Sequence, residues 1–291
     1  MSFHLNFKEL CTSLRMSNTT VETIRTRCNT ITKRINSDYW SIDSDSKNRL
    51  YVGSYGRGTE IWVSDIDLLV ILPNSFYHRF NDYTNNGQSA LLNHVKDTLR
   101  KTYSTSFIKG DGQVVGIKFS DGIEFEVVPA FSVTDGSFLY PDTNNGGSWK
   151  VTNPRAEIKA MNELNVITKK NLKNFCRMIR AWKETNNVQI SGILLDTLAY
   201  KFLENWKYKD KGYVYYDWMT RDFFNYLMNQ DINKEYWLAP GSNRRVYKTG
   251  NFQNKAQKAF NLAVSAIQDE EKYPALAKSN WRAIYGTKFP N

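Results

Sequence analysis

The segment that most restricts how this chain can fold is DIDLLVIL, residues 65–72. The run LLVIL is apolar throughout, which is typical of a buried strand, and two aspartates stand at its start. Residues two apart on a strand project from the same face, so Asp65 and Asp67 should lie side by side while Ile66 points into the core. Two unpaired carboxylates beside an apolar core repel each other and are costly to bury. The pair therefore needs a partner.

A divalent cation is one partner that satisfies both carboxylates. Mg²⁺ prefers one or two carboxylates, with water and substrate phosphate oxygens completing its shell. Two such ions about 4 Å apart stabilise in-line phosphoryl and nucleotidyl transfer. The simpler alternative is that Asp65 caps a turn while Asp67 pairs with a basic side chain. An isolated Asp-x-Asp favours this alternative, because the pattern is common by chance.

Two further segments make the pattern more specific. Gly53 and Ser54 follow the strand-like RLYV in a predicted loop, and a glycine backbone with a serine hydroxyl can bind phosphate oxygens. The later run IEFEVVPAF places Glu124 and Glu126 on one face of another predicted strand. Glu126 is a candidate third metal ligand, whereas Glu124 is interpreted as a solvent-facing side chain.

Hydrophobic periodicity divides the chain into two halves. Near the N-terminus, an apolar stripe preceded by SNTT predicts a long capped helix. Short alternating strands with SDG and KGDG turns follow between residues 50 and 131, together with one helix. The polar segment YPDTNNGGSW, residues 140–149, is predicted to be a loop at the boundary between the halves. Beyond it the spacing is helical, starting with Asn153 as the N-cap of TNPRAEI.

Composition limits the class of protein. The 291 residues include 39 Lys+Arg and 29 Asp+Glu, a formal net charge of +10, which favours polyanionic partners or simply aids solubility. No apolar run reaches the roughly 20 residues of a membrane span, and the N-terminal MSFHLNFKEL lacks the basic-then-apolar pattern of a secretory signal. The separated Cys11, Cys28 and Cys176 argue against a disulfide framework or a zinc site. We expect a cytoplasmic protein without a membrane partner.

Five segments together resemble the bacterial CD-NTases, the cGAS/DncV-like nucleotidyltransferases of CBASS anti-phage systems. These segments are GSYGRGTEIWVSDIDLLV, FEVVPAF, VTNPRAEI, RMIRAWKE and WRAIYGTKFP. The resemblance to this branch of the nucleotidyltransferase β superfamily implies an α+β fold, with an α/β palm, a helical lobe and the active site in the cleft between. On this basis residues 1–148 form the nucleotidyltransferase core, including an N-terminal spine helix, and residues 149–291 form the helical lobe.

The resemblance also implies which carboxylates hold metal. Asp65, Asp67 and Glu126 would bind two Mg²⁺ ions, or Mn²⁺ in their place, and would form the catalytic centre. Glu126 stands where many relatives carry an aspartate, so the metal geometry must adjust to a side chain one methylene longer. Glu126 would also receive the proton of the attacking ribose hydroxyl.

The nucleotide-binding residues follow from the same comparison of positions. Gly53 and Ser54 would contact the triphosphate of the donor nucleotide. Lys183 and Ser191, from the helical lobe, would hold its β- and γ-phosphates, since a lysine is a strong point charge for a triphosphate.

The implied activity is the joining of nucleoside triphosphates into a cyclic di- or trinucleotide second messenger, with release of pyrophosphate. The product would activate a separate downstream effector protein, and an operon-encoded regulator is a further partner that such systems allow. Two alternatives stay open: an RNA or small-molecule nucleotidyltransferase with a linear product, and a catalytically silent nucleotide or RNA sensor. The intact set of Ser54, Asp65, Asp67 and Glu126 favours an enzyme, and no stable nucleic-acid partner is expected.

Overall fold

The computed structural model describes residues 3–61 and 65–291, which form helices and strands in mixed order. The helices among them are α1 (His4–Ser13), α2 (Asn18–Ile35), α3 (Gly53–Arg57), α4 (Asn74–Asn81), α5 (Gly87–Arg100), α6 (Pro154–Ile167), α7 (Asn171–Thr185), α8 (Gly192–Asn205), α9 (Tyr216–Met228), α10 (Gln253–Asp269) and α11 (Pro274–Tyr285). The strands are β1 (Arg49–Tyr51), β2 (Asp65–Ile71), β3 (Phe107–Asp111), β4 (Val114–Lys118), β5 (Glu124–Ser132), β6 (Phe138–Asp142), β7 (Ser148–Thr152), β8 (Tyr236–Leu238) and β9 (Arg245–Tyr247).

The described residues divide into two compact units. The sheet unit comprises the described part of Met16–Gly56 and Val63–Ala156. The helical unit comprises the described part of Met1–Arg15, Arg57–Trp62 and Glu157–Asn291. The domain division that the resemblance implies stays a prediction.

The sheet unit is built on one mixed sheet. Its strands run in the order β1-β2-β5-β4-β3, β6 pairs with the end of β5, and β7 pairs with β6. β2 and β5 are parallel, whereas β1 with β2, β4 with β5 and β3 with β4 are antiparallel. A central mixed sheet together with many helices confirms the predicted α+β fold class.

One face of this sheet packs against α2 and α5. Ile66 and Leu68 of β2 are fully buried in the same hydrophobic cluster as the apolar stripes of both helices. α2 begins as predicted, because Ser17 caps it by accepting a hydrogen bond of 3.1 Å from the Thr20 N–H. The opposite face of β2 carries Asp65 and Asp67 at its start and Leu69, which is buried in a small separate cluster, further along; we call this face the open face.

The segment predicted to be a loop, residues 140–149, is a β-hairpin. β6 and β7 pair from Phe138 opposite Thr152 to Asp142 opposite Ser148. The turn between them contains Asn145, whose φ of 52° is left-handed. The prediction was wrong for the strands because Pro, Asp and Asn mark turns locally, whereas pairing with β5 and β7 decides the backbone here.

The helical unit anchors the segment that follows α3 through a buried ion cluster. Asp196 of α8 is 1% exposed and accepts hydrogen bonds from Arg57 Nε (3.0 Å), Thr59 Oγ1 (2.8 Å) and Arg180 Nη2 (2.7 Å). Burial alone would raise the pKa of this carboxyl, but the charges of Arg180 and Arg57 lower it below the usual value. The carboxylate is therefore ionised at neutral pH, and its Oδ2 accepts all three of these hydrogen bonds.

The second half of the chain is helical, with one small exception. β8 and β9 form a two-stranded sheet, with Trp237 opposite Val246, that the sequence interpretation did not predict. α6 begins as expected, since the Asn153 side chain accepts a hydrogen bond from the Ala156 N–H. Across residues 3–61 and 65–291, every helix is too short or too polar to cross a bilayer.

Candidate active site

Four acidic side chains occupy adjacent positions on the open face of the sheet. β2 and β5 run in a parallel register that sets Asp67 opposite Glu126 and Asp65 opposite Glu124. Ile66, between the two aspartates, is 1% exposed, so the aspartates on either side of it project from the other face. The structure thus brings Asp65, Asp67 and Glu126, the predicted metal ligands, into one small area.

The carboxyl group of Glu126 lies in an environment that disfavours a negative charge. Partial burial, followed by the charges of Asp67 and Asp65, raises the pKa of Glu126 to about 7. A hydrogen bond between the Glu126 and Asp67 side chains acts in the same direction. A positive charge placed here would relieve the repulsion among all three groups, so the electrostatics of the site suit a cation.

The donor set fits a metal that arrives with its substrate better than a metal held by protein alone. Among the residues that the structure describes, no three Asp, Glu, His or Cys side chains are arranged to hold a metal ion by themselves. Mg²⁺ seldom needs such a cage, because it keeps several waters and takes phosphate oxygens from a bound nucleotide. Asp65 is exposed and Asp67 half-buried, so both are accessible to an ion carried by a triphosphate.

Gly53 brings the backbone of α3 directly against Asp67. The φ of Gly53 is +60°, a left-handed conformation that favours glycine, and a Cβ at this position would overlap Oδ2 of Asp67. The predicted loop is in fact the first turn of α3, in which Ser54 is the second residue. The two predicted phosphate-binding residues therefore begin a helix beside the carboxylates.

Lys183 and Ser191 belong to the helical unit, whereas the carboxylates belong to the sheet unit. Lys183 is half-buried in the last turn of α7. Ser191 is the N-cap of α8, and its Oγ accepts the Leu194 N–H at 3.3 Å. This capping role was not predicted. It uses the Ser191 oxygen as an acceptor, so the hydroxyl proton is still able to donate a second hydrogen bond. Phosphate binding by this pair stays a prediction.

Glu124 contributes to the site in a way that the sequence interpretation missed. Its side chain is half-buried and lies opposite Asp65 on the open face. Its charge is among those that raise the pKa of Glu126. The alternation Glu-Phe-Glu already indicated that Glu124 and Glu126 lie on the same face of β5. The pairing with β2 adds that Glu124 lies opposite Asp65.

A family comparison identifies the first part of the chain. Residues 1–165, more than half of the sequence, match the model of the Second Messenger Oligonucleotide or Dinucleotide Synthetase (SMODS) domain. This range includes Asp65, Asp67, Glu124 and Glu126. Residues 62–64, within the segment that carries the resemblance to the CD-NTases, lie outside the residues that the structure describes.

Individual proteins with similar sequence or structure are consistent with this match. The cyclic AMP-AMP-AMP synthase of an Acinetobacter strain is 22% identical over 304 residues, covering 100% of this chain and 86% of that protein. CdnC from E. coli MS115-1, solved with ATP, is 17% identical with a TM-score of 0.73, covering 99% of this chain and 100% of that one. CdnC is also known in complex with HORMA-deltaN, with a TM-score of 0.71, 16% identity and coverage of 99% and 98%.

A third relative adds a view of a reaction intermediate. The Vibrio cholerae DncV cyclic AMP-GMP synthase, in complex with the linear intermediate 5′ pppA(3′,5′)pG, is 14% identical with a TM-score of 0.64, covering 99% of this chain and 86% of that one. At these identities the structural likeness shows the fold. The fold is therefore the polymerase-β-like nucleotidyltransferase fold shared by these synthases.

Proposed function

The chain belongs to the family of Second Messenger Oligonucleotide or Dinucleotide Synthetase domains, and from this premise we propose that it joins nucleoside triphosphates into a cyclic di- or trinucleotide. It is a nucleotidyltransferase of the cyclic oligonucleotide synthase class. A ribose hydroxyl of one nucleotide attacks the α-phosphate of another, pyrophosphate leaves, and a later attack within the linear product closes the ring.

One observation carries the proposal: Asp67 stands between the Gly53 backbone on one side and Glu126 on the other. A triphosphate bound at Gly53 and Ser54 is thereby next to a carboxylate pair that suits a cation. A sensor that only bound nucleotides would gain nothing from two repelling carboxylates at this point, because their repulsion costs stability. The carboxylate pair beside Gly53 is instead suited to metal-assisted nucleotidyl transfer at the α-phosphate.

Asp65, Asp67 and Glu126 are the residues that would hold two Mg²⁺ ions, or Mn²⁺. When bound, such ions neutralise phosphate charge and make a ribose hydroxyl more acidic. Glu126 would also receive the proton of that hydroxyl, because it lies opposite Asp67 on the neighbouring parallel strand, beside the place where the hydroxyl would attack. Asp65 and Asp67 keep the reacting groups in line.

The phosphates of the donor nucleotide are bound by residues from two separate parts of the chain. Gly53 offers a backbone that approaches closely, and Ser54 offers a hydroxyl. Lys183 supplies a positive charge to the β- and γ-phosphates, and Ser191 donates its hydroxyl proton while its oxygen caps α8. Donors preorganised in this way stabilise the charge that develops on the leaving pyrophosphate.

The biological setting follows from the family and from its relatives. The enzyme acts in the cytoplasm, where nucleoside triphosphates and Mg²⁺ are available, in anti-phage defence of the CBASS type. Its cyclic product activates a separate effector protein. The complex of CdnC with HORMA-deltaN supports an operon-encoded regulator as a second partner, and the Acinetobacter synthase supports a trinucleotide among the two ring sizes.

Removal of one carboxylate tests the metal assignment. Asp67→Ala is expected to abolish pyrophosphate release from nucleoside triphosphates with Mg²⁺. The variant should remain folded, as shown by a thermal unfolding transition. Asp97→Ala is the matched control, since Asp97 has a side chain 69% exposed on α5. EDTA should stop turnover by the wild-type protein, and added Mg²⁺ or Mn²⁺ should restore it. Turnover by Asp67→Ala at the rate of Asp97→Ala would exclude this catalytic centre.

A further inference from the structure

The small sheet of the helical unit has a strand edge without a neighbouring strand. Within residues 3–61 and 65–291, β8 and β9 pair only with each other. The Lys248 N–H donates to the Glu235 C=O at 2.7 Å, and the Ala239 N–H donates to the Arg244 C=O at 2.8 Å. Hydrogen-bonded pairs alternate with non-bonded pairs in an antiparallel ladder. The residues of this segment that bond to β9 are therefore Glu235, Trp237 and Ala239.

The backbone groups of Tyr236 and Leu238 consequently point away from β9, toward the free edge. These two residues carry two N–H and two C=O groups, spaced about 7 Å apart along the strand. In the part of the chain that the structure describes, no other group forms a hydrogen bond with them. Unpaired groups in this arrangement are a template for pairing with another extended chain.

The free edge of β8 forms one wall of a groove. A cavity of about 520 Å³ is lined by residues 234–238, by Lys201 of α8, and by Tyr226 and Gln230 of α9. Successive residues of a strand point to opposite faces, so a cavity lined by consecutive residues runs along the edge of β8. A second cavity of about 470 Å³ shares Lys201, Tyr226 and Gln230 with the first and continues between α8 and α9. We call the two cavities together the β8 groove.

The walls of the β8 groove are fixed to each other by buried contacts. Trp237 points inward from β8 and is 3% exposed, and its Nε1 donates a hydrogen bond of 3.1 Å to Gln230 Oε1. Gln230 Nε2 in turn donates to the Tyr226 carbonyl oxygen at 3.0 Å. The groove is therefore formed before any ligand arrives, which lowers the cost of binding.

Positive charge surrounds this groove. Lys201 and Lys234 line it on opposite sides, and Arg245 of β9 lies opposite Leu238. Glu235 is the one acidic side chain among the described lining residues. Complementary charge favours the correct partner and suppresses others, so the groove suits a ligand that carries carboxylates.

We propose that the β8 groove binds an extended acidic segment of a partner protein as an added strand. The backbone of that segment pairs with the N–H and C=O groups of Tyr236 and Leu238, and its carboxylates contact Lys201 and Lys234. In this mode of recognition, main-chain hydrogen bonds give affinity and the neighbouring side chains give specificity. The site lies in the helical unit and does not depend on the proposed function.

A nucleic acid matches the lysines but does not match the strand edge. Its phosphate oxygens accept hydrogen bonds and have no proton to donate, so the C=O groups of Tyr236 and Leu238 would be covered without a donor, which is costly. A peptide backbone offers one donor and one acceptor per residue. The alternation of donors and acceptors along β8 therefore favours a peptide.

A second copy of this chain is also a poor occupant. Two copies paired through β8 would bring two sets of Lys201 and Lys234 together, and like charges across an interface repel. Simple protection of the edge is a further alternative, since a short strand beside a lysine discourages pairing. Protection does not account for a preformed cavity of ligand size beside the edge.

Hydrogen exchange with a selected peptide tests the proposal. A phage-displayed library of random twelve-residue peptides is selected on the full chain, and the selected peptides are synthesised. We expect them to be rich in Asp and Glu. At saturation they should slow exchange of the Tyr236 and Leu238 amides at least about tenfold, because each gains a hydrogen bond. The Ala239 amide, which already bonds to Arg244, should not change.

Methylation of the peptide nitrogens tests strand pairing without changing the protein. Alternate N–H groups of an added strand face β8. N-methylation at positions of one parity should weaken binding at least about tenfold, since it leaves a β8 carbonyl without a donor, while the other parity should have little effect. Lys201→Gln should weaken binding severalfold. Lys255→Gln, the same change at an exposed lysine of α10, should not.

The proposal is overturned if no peptide is selected, or if the selected peptides leave the Tyr236 and Leu238 amides exchanging at the free rate. Equal effects of methylation at both parities would exclude an added strand, and selection of basic peptides would exclude an acidic partner. Protection of the two amides by a single-stranded oligonucleotide instead of a peptide would assign the groove to nucleic acid. Protection that rises with protein concentration alone would assign it to a second copy.

Discussion

Gly53 shows how one residue can determine the geometry of a site. Its positive φ of +60° and the position of its missing Cβ against Asp67 Oδ2 are two separate requirements. The first is a preference of the backbone that an alanine could meet at some cost in stability. The second is steric, because any side chain at this position would displace the Asp67 carboxylate from its place beside Glu126.

Gly53→Ala is expected to lower the rate of pyrophosphate release about 100-fold, the effect of misplacing a reacting group by about 1 Å. Gly136→Ala is the matched control. Gly136 has a comparable φ of +84°, but no atom lies within 4 Å of its added Cβ. Both variants should lose similar stability in thermal unfolding, and only Gly53→Ala should lose activity. Equal activity in the two would mean that contact with Asp67 does not matter.

At the scale of elements, a buried charge cluster ties the segment after α3 to α7 and α8. Asp196 accepts hydrogen bonds from Arg57, Thr59 and Arg180, and it is almost completely buried. Removing one member of such a cluster leaves the other charges without compensation, which is far more costly than losing an exposed pair.

Asp196→Ala is expected to lower the free energy of unfolding by about 3–5 kcal/mol, as measured by urea denaturation at pH 7. Asp210→Ala is the control, because it breaks an exposed pair with Lys169 and should cost far less than Asp196→Ala. The folded-state pKa of Asp196 is lowered, so its stabilisation is present above the unfolded value and is lost as the pH falls through the folded value. The difference between wild type and Asp196→Ala should therefore shrink below about pH 4. A difference that is independent of pH would show that the charge contributes nothing.

The sequence predicted elements well where local patterns determine them. The cap at Ser17, the N-cap at Asn153 and the alternation through Asp65 and Asp67 are all local, and each matches the structure. Pairing between distant strands is not local. That Asp67 faces Glu126, and that residues 140–149 form a hairpin, depends on register, which a sequence pattern does not determine.

Some features of the candidate site could likewise be predicted from the sequence, and others could not. Its residue types could be predicted, because Asp65 and Asp67 occur in combination with Gly53, Ser54 and Glu126, and this combination is far more specific than the aspartate pair alone. The closeness of Gly53 to Asp67 and the position of Glu124 could not, since each is a contact between elements. The N-cap bond of Ser191 is local, like that of Ser17, so a serine directly before α8 was a signal that the sequence interpretation missed.

At the scale of the whole molecule, the fold is preserved at low sequence identity. The chain matches E. coli CdnC with a TM-score of 0.73 at 17% identity, so the hydrophobic pattern has kept the fold while most side chains changed. The net charge of +10 suits the anionic substrates of such an enzyme. A nucleotidyltransferase that extended RNA would lose affinity steeply with added salt, whereas a synthase that uses nucleoside triphosphates alone needs no nucleic acid.

The chemical nature of the product decides whether this protein is a cyclic oligonucleotide synthase. The purified protein is incubated with all four nucleoside triphosphates and Mg²⁺ or Mn²⁺, treated with phosphatase, and analysed by mass spectrometry, with Asp67→Ala in parallel. We predict a phosphatase-resistant cyclic di- or trinucleotide from the wild-type protein and none from the variant. Only linear products that lose their terminal phosphates, or no product at all, would contradict the account.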